Sequence, residues 1–282
     1  MPENGMVKDA IDLAGERSLR YVTSRQCRNG GFCFYRTEYL EEPNLHDTYY
    51  ALVAYRLMDR PVPNRDRVVD YLRSATSYGA QTSYLYYLAR GMRLLGCPDQ
   101  YPELQHRIAQ LHIRPLESDD SLSISSWLED ALMVARLRKT FAEATGFEPV
   151  KHVIGDLRAG HYRAYRRNLL DTYLMLRILA ELDRLQEIDD LKRFVDAMQA
   201  PSLGFRMTQT SAAINMDILY AGVFSCAMSG IAITYAHDIV GHVLASQKKD
   251  GGFARAPAAA GDLQTNYKGL RVLHYLTADL AG

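Results

Sequence analysis

Apolar residues fall into two alternating kinds of stretch along this chain. In "DAIDLAGERSLRYVTSRQ", "NRDRVVDYLRSATSY", "YPELQHRIAQLHI", "EPVKHVIGDLRAG", "IDDLKRFVDAMQA" and "AHDIVGHVLASQKK" they recur at i, i+3 and i+4. That spacing predicts helices with one apolar stripe and solvent on the back. Between them stand more continuously apolar stretches: "HDTYYALVAYRL", "SYLYYLARGMRLLG", "SWLEDALMVARL", "LDTYLMLRILAEL", "MDILYAGVFSCAM" and "LQTNYKGLRVLHYL". These predict buried helices starting near residues 46, 83, 126, 170, 216 and 264. Pro43, Pro63, Pro102, Pro149 and Pro201 lie between the helical stretches, where proline ends helices without cost. No run alternates with the period of a strand.

The buried stretches are copies of one unit. "HDTYYALVAYRLMDRP" aligns with "SYLYYLARGMRLLGCP" at the tyrosine pair, at Arg56 against Arg93, and at the closing proline. Ahead of two of them stands Q-x-x-x-G-G-F, at Gln26–Phe32 and Gln247–Phe253, with a weaker copy in "SLGFRM" at Ser202–Met207. Helix pairs repeated about every 37 to 48 residues bury their apolar faces only against neighbouring copies. Six pairs imply closure into an all-α (α/α)6 toroid, six inner helices inside six outer ones, as a single domain over residues 1–282.

The Q-x-x-x-G-G-F turn, a short loop and "DTYYAL" resemble the repeat signature of the prenyltransferase and squalene-cyclase superfamily, over nearly the whole chain. The resemblance implies the toroid. It also implies one of three uses: zinc-dependent protein prenylation, acid-initiated terpene cyclisation, or ligand binding without catalysis. For the zinc site it points to Asp217-Ile218-Leu219 and to Gln264-Thr265 on the last inner helix. Leucine and glutamine stand where thiolate and imidazole are needed, so zinc is not expected. His237 and His242 lie five apart, on different faces of a helix. The D-x-D-D acid of the cyclases is not reproduced either. Asn44-Leu45-His46-Asp47-Thr48 and Asn168-Leu169-Leu170-Asp171-Thr172 keep only the last Asp-Thr.

Aligning the inner helices on the opening aspartate brings Tyr49, Tyr86, Glu129, Tyr173, Leu219 and Tyr267 to one level. By the family resemblance, that level faces the central cavity. Tyrosine (19) outnumbers phenylalanine (8) and tryptophan (1), as an aromatic wall with polar tips requires. Trp127, Asp217 and Gln264 join these as candidate substrate-binding residues. Glu129 is the one acid of the ring; apolar surroundings raise a carboxyl's pKa and suit it to general acid work. Asp47 and its neighbour His46 are the other candidate proton donors, although Asp47, Asp171 and Asp217 also suit helix N-caps. Arg163, Arg166 and Arg167 in "HYRAYRRN" are candidate diphosphate ligands, with Mg2+ called for only if a diphosphate binds.

Composition narrows the rest. Of 282 residues 48% are hydrophobic, and Lys+Arg and Asp+Glu are both 33, so no nucleic-acid partner is indicated. Cys27, Cys33, Cys97 and Cys226 have no paired spacing and the first residues no apolar signal core, which point to the cytoplasm. Ile218–Ala236 has 19 uncharged residues, but Ser229-Gly230 interrupts them. Two buried helices are expected there, not a membrane span. The leading expectation is a zinc-independent, terpene cyclase-like enzyme for an isoprenoid or related hydrophobic substrate. The alternatives are a zinc-independent prenyltransferase using an isoprenyl diphosphate, and a toroid binding a hydrophobic ligand or a protein partner.

Overall fold

The computed structural model describes residues 2–37, 39–77, 79, 81–97, 102–113, 121–145, 168–183, 185 and 189–280. Among them the inner helices are α2 (Leu45–Leu57), α4 (Thr82–Leu94), α6 (Ser121–Thr145), α7 (Leu169–Glu181), α9 (Met216–Ser229) and α11 (Leu263–Leu280). Each packs on the next, α2 on α4, α4 on α6, α6 on α7, α7 on α9 and α9 on α11. The ring then closes, because α11 packs on α2. Outside it lie α1 (Pro2–Ser24), α3 (Arg65–Ser74), α5 (Pro102–Ala109), α8 (Asp189–Ala197) and α10 (Ala236–Ala245). The fourth outer stretch expected from the sequence, "EPVKHVIGDLRAG", falls outside the described residues.

Inner and outer helices differ as their patterns require. In α3 only Val68, Val69 and Leu72 are buried, whereas α9 is buried nearly all round. A helix apolar on every side is stable only when surrounded. The uncharged run from Ile218 does not continue as two helices. Gly230, at φ 65°, terminates α9, and residues 231–235 form a partly exposed loop ahead of α10. No helix among the described residues is long and apolar enough to cross a membrane.

Asparagines, not the aspartates, cap three of the inner helices. The side chains of Asn44 and Asn168 accept from the backbone N–H of Asp47 and Asp171 at 2.8 Å. Their amides donate back to the Asp47 and Asp171 carboxylates at 2.7 and 2.6 Å. Asn215 accepts from Ile218 N–H at 3.0 Å. Asn168→Ala is therefore expected to lower stability by about 1–2 kcal/mol, seen as a lower denaturant midpoint at unchanged slope.

The glycine turns join each repeat to its neighbour. In the first, Gln26 Nε2 donates to Gly30 O at 3.4 Å and to Pro63 O at 2.8 Å, and Phe32 N–H donates to Thr48 Oγ1 at 3.0 Å. In the last, Gln247 Nε2 donates to Gly251 O at 2.9 Å and to Ala14 O at 2.8 Å. That second contact ties the end of the chain to α1 and helps to close the toroid. Phe32 and Phe253 are fully buried. The third copy has the same geometry. Gln199 pairs with Phe205 across strands β1 (Gln199–Ala200) and β2 (Gly204–Phe205), as Gln26 does with Phe32 and Gln247 with Phe253. Cys27 and Cys33, on either side of the first turn, bring their sulfurs to 3.1 Å despite their unremarked spacing in sequence.

Candidate active site

The first halves of all six inner helices contribute to one cavity of about 660 Å3. This is within the range of small-molecule sites. It opens at the end where these helices begin, since exposed Phe34, ahead of α2, and Arg255, ahead of α11, stand in its wall.

Its aromatic belt follows from the helix caps. Counting five residues from the N-cap gives Tyr49 from Asn44, Tyr86 from Gln81, Tyr173 from Asn168 and Tyr220 from Asn215. Asp262, whose carboxylate accepts from Thr265 N–H at 2.7 Å ahead of α11, gives Tyr267 by the same count. All five tyrosines line the cavity, and Tyr50 and Tyr87 fill the space between them. Neighbouring rings meet edge-on or tilted, with Tyr49 to Tyr86 at 5.9 Å, Tyr50 to Tyr267 at 5.8 Å and Tyr173 to Tyr220 at 5.6 Å between centroids. These are favourable geometries for aromatic pairs. Burial pushes the Tyr49 phenol up to about 12 and raises those of Tyr50, Tyr87, Tyr173 and Tyr267. At neutral pH these five phenols stay neutral.

Two residues expected on the wall are not part of it. Leu219 is buried and reaches towards Gly204, while Tyr220, one position on, takes the cavity place. The cause is the cap: Asp217 is two residues after its asparagine, whereas Asp47 and Asp171 are three after theirs. Trp127 is buried in the core, not on the cavity wall. It precedes Glu129 by two residues, about 200° round the helix, so the two cannot share a face. Arg163, Arg166 and Arg167 fall outside the described residues.

The remaining candidates meet. His46, Asp47, Asp217, Gln264 and Glu129 all line the cavity. His46 presents its ring edge-on to Tyr50 and Tyr87 at 4.8 and 4.9 Å, with Nδ1 3.4 Å from the Asp47 carboxylate. Gln264 Nε2 donates to the Tyr50 hydroxyl at 3.2 Å. Asp217 is doubly paired, with Lys268 at 2.6 Å and Arg255 at 2.5 Å. Among the described residues Glu129 has no such partner, and it lines the open cavity. The side chain is exposed to the open cavity, yet partial loss of hydration between the cavity walls raises its pKa; Lys268 opposes the shift, and the charges of Asp217 and Asp171 add to it.

A layer of arginines, not anticipated from the sequence, underlies the tyrosines. Arg90, Arg177 and Arg271 each follow a belt tyrosine by four residues, one turn further along the helix. Helical side chains lean towards the N-terminus, so these guanidinium groups reach back to the hydroxyls. Arg90 donates to Tyr49 at 3.3 Å, Arg177 to Tyr173, and Arg271 to Tyr220 at 2.7 Å and Tyr267 at 2.9 Å. Arg136 of α6 donates to Tyr86 at 3.0 Å and pairs with Glu181 at 2.7 Å.

A family model, the prenyltransferase alpha-alpha toroid domain, matches residues 6–97 and 74–279. The chain belongs to the prenyltransferase alpha-alpha toroid family. No curated protein matches it. Within this toroid the positions that the resemblance assigns to zinc do not suit a metal. The Asp217 carboxylate is taken up by two side-chain cations, Leu219 is in the core, and the Gln264 amide is bound to Tyr50. Nor do three or more His, Cys, Asp or Glu side chains group as a ligand set among the described residues. The Lys268 ammonium lies 2.6 Å from the Asp217 carboxylate and neutralises it.

Proposed function

We propose that this toroid is an isoprenoid cyclase that starts its reaction by protonating an alkene from Glu129. The observation that carries the reading is a carboxyl with a raised pKa, without an ion-pair partner among the described residues, in a cavity walled by tyrosines. A raised pKa favours the protonated form that a general acid needs.

The step balances without an oxidant, a reductant or a metal. The Glu129 O–H proton goes to the less substituted carbon of a trisubstituted alkene, whose π electrons form the new C–H bond. The neighbouring carbon becomes a tertiary cation, and the next double bond of the folded chain attacks it to close a ring. Loss of a carbon-bound proton to water ends the sequence, solvent returns a proton to the Glu129 carboxylate, and the net change is an isomerisation. Tyrosine faces lower the energy of the cation by ~0.5–2 kcal/mol per ring. Because burial keeps the phenols protonated, no phenolate is present to trap the cation. The belt's rings also exclude water from the cation during closure.

Incubation with farnesyl diphosphate, geranylgeranyl diphosphate and squalene tests the proposal. One of them should give a product of unchanged mass with fewer alkene protons. Transfer of the prenyl group with release of diphosphate would support the prenyltransferase alternative instead. Failure to bind any isoprenoid would remove the reading.

A further inference from the structure

The first glycine turn carries two buried cysteines that take no part in the cavity. Gln26 and Phe32 pair as antiparallel neighbours across the turn. Cys27 and Cys33, each one residue further along, therefore stand on the opposite face from that pair. Cys27 N–H donates to Gly31 O at 2.8 Å and Cys33 N–H to Arg25 O at 3.1 Å, which fixes the backbone on both sides. The two sulfurs meet diagonally at 3.1 Å. A disulfide bond is about 2.05 Å long, so they need approach by only about 1 Å more to be joined. Both thiols are also directed at the same acceptor, Arg25 O, at 3.9 and 3.6 Å.

We infer that Cys27 and Cys33 are a redox pair, which a small disulfide such as oxidised glutathione converts to an intramolecular disulfide that staples the first glycine turn. In the first exchange one cysteine thiolate attacks a sulfur of the oxidant, forms a mixed disulfide and expels one glutathione thiolate. In the second, the other cysteine thiolate attacks the protein sulfur of that mixed disulfide and expels the second glutathione. Two S–H bonds of the protein give way to one S–S bond, and the oxidant takes up the two electrons and two protons as two thiols. The second step joins sulfurs that the fold already holds together, so it outruns exchange with a free thiol. Burial, with the Cys33 thiol beside it, pushes the Cys27 pKa up to about 12, and the closed turn therefore reacts slowly. Exchange runs through local opening of the turn, whose tip residues Arg28 and Asn29 are exposed. The staple lies where Gln26 ties the turn to Pro63 ahead of α3 and Phe32 ties it to Thr48 of α2. It is also one residue ahead of Phe34 in the cavity wall, so it holds the root of the segment that runs along the cavity mouth.

Equilibration of the full chain in glutathione buffers of increasing oxidised fraction, followed by acid quenching, alkylation and mass spectrometry, tests the pair. Trypsin cuts after Arg25, Arg28 and Arg36, so the disulfide joins the peptide Gln26–Arg28 to the peptide Asn29–Arg36. In oxidising buffer the wild type should yield that linked pair, about 2 Da lighter than the two reduced peptides together, and dithiothreitol should release it. The oxidised protein should melt about 2–6 °C above the reduced protein. Cys33→Ser, which cannot form the bond, should melt alike in both buffers, and Cys33→Ala serves the same purpose if the serine variant does not fold. Alkylation of both cysteines at every glutathione ratio, or glutathione adducts without the linked pair, would overturn the redox pair. A linked pair that brings no gain in melting temperature would overturn the staple.

Discussion

Glu129→Gln is expected to lower turnover by about 10²–10⁴-fold while leaving substrate affinity nearly unchanged. The amide keeps the size and hydrogen-bonding capacity of the side chain but has no acidic proton to give. Stability should not fall with activity. The folded protein holds the Glu129 proton more tightly than the unfolded chain does, because burial raises its pKa. Such a carboxyl favours the folded state below its unfolded pKa, and that contribution is lost as pH rises through the folded value. Near neutral pH glutamine therefore removes a mild liability, and the variant should melt no lower than wild type. The same shift gives a pH signature. Wild-type turnover should decline as pH climbs through the raised Glu129 pKa, and this limb should be missing from the residual activity of the variant. A variant that loses activity together with its melting transition would indicate a packing role instead.

The second large effect concerns the seam of the ring. Gly251→Ala is expected to destabilise the fold by about 2–4 kcal/mol, and Gly30→Ala by a similar amount. Both glycines adopt positive φ, 97° and 96°, which a side chain disfavours. Both also lie against backbone. A Cβ at Gly251 would meet Arg17 O of α1 at 2.3 Å, and one at Gly30 would meet the Arg67 carbonyl carbon of α3 at 2.3 Å. Neither neighbour can give way without moving an outer helix. Gly241→Ala provides the opposite sign. Gly241 is in the exposed middle of α10 with nothing within 4 Å of a Cβ, so alanine there should stabilise by about 0.5–1 kcal/mol. Equilibrium urea denaturation of the three variants reads all of these differences.

The toroid was legible in the sequence because its repeat is written twice, in the glycine turns and in the alternation of buried and half-buried helices. The third turn was only half seen. Its glutamine, Gln199, is six residues before Phe205, as in the other copies, but a single glycine replaces the pair. The cavity wall was legible to within one residue. Counting from the aspartates gave Tyr49, Tyr86, Tyr173 and Tyr267, which line the cavity, and chose Leu219 over Tyr220. Counting from the capping asparagines would have found Tyr220, since the cap sets where the helix, and so its facing residues, begins. Trp127 was misplaced because its proximity to Glu129 in sequence puts it on the far side of α6. The arginine layer had a local signal, Arg90, Arg177 and Arg271 each four after a tyrosine. That Arg90 bonds to Tyr49 of a different helix, or that Arg136 pairs with Glu181 of α7, depends on closure of the ring.

The central claim is that the cavity transfers a proton from Glu129 to carbon. Solvent isotope incorporation tests it most directly. The wild type and Glu129→Gln would each be incubated in D2O with the isoprenoid that the wild type converts, and the product's deuterium content read by mass spectrometry. One deuterium per product molecule at a carbon that was alkenic in the substrate, formed at a rate that collapses in Glu129→Gln, is the predicted result. Product without carbon-bound deuterium, or equal incorporation by the variant, would contradict the account.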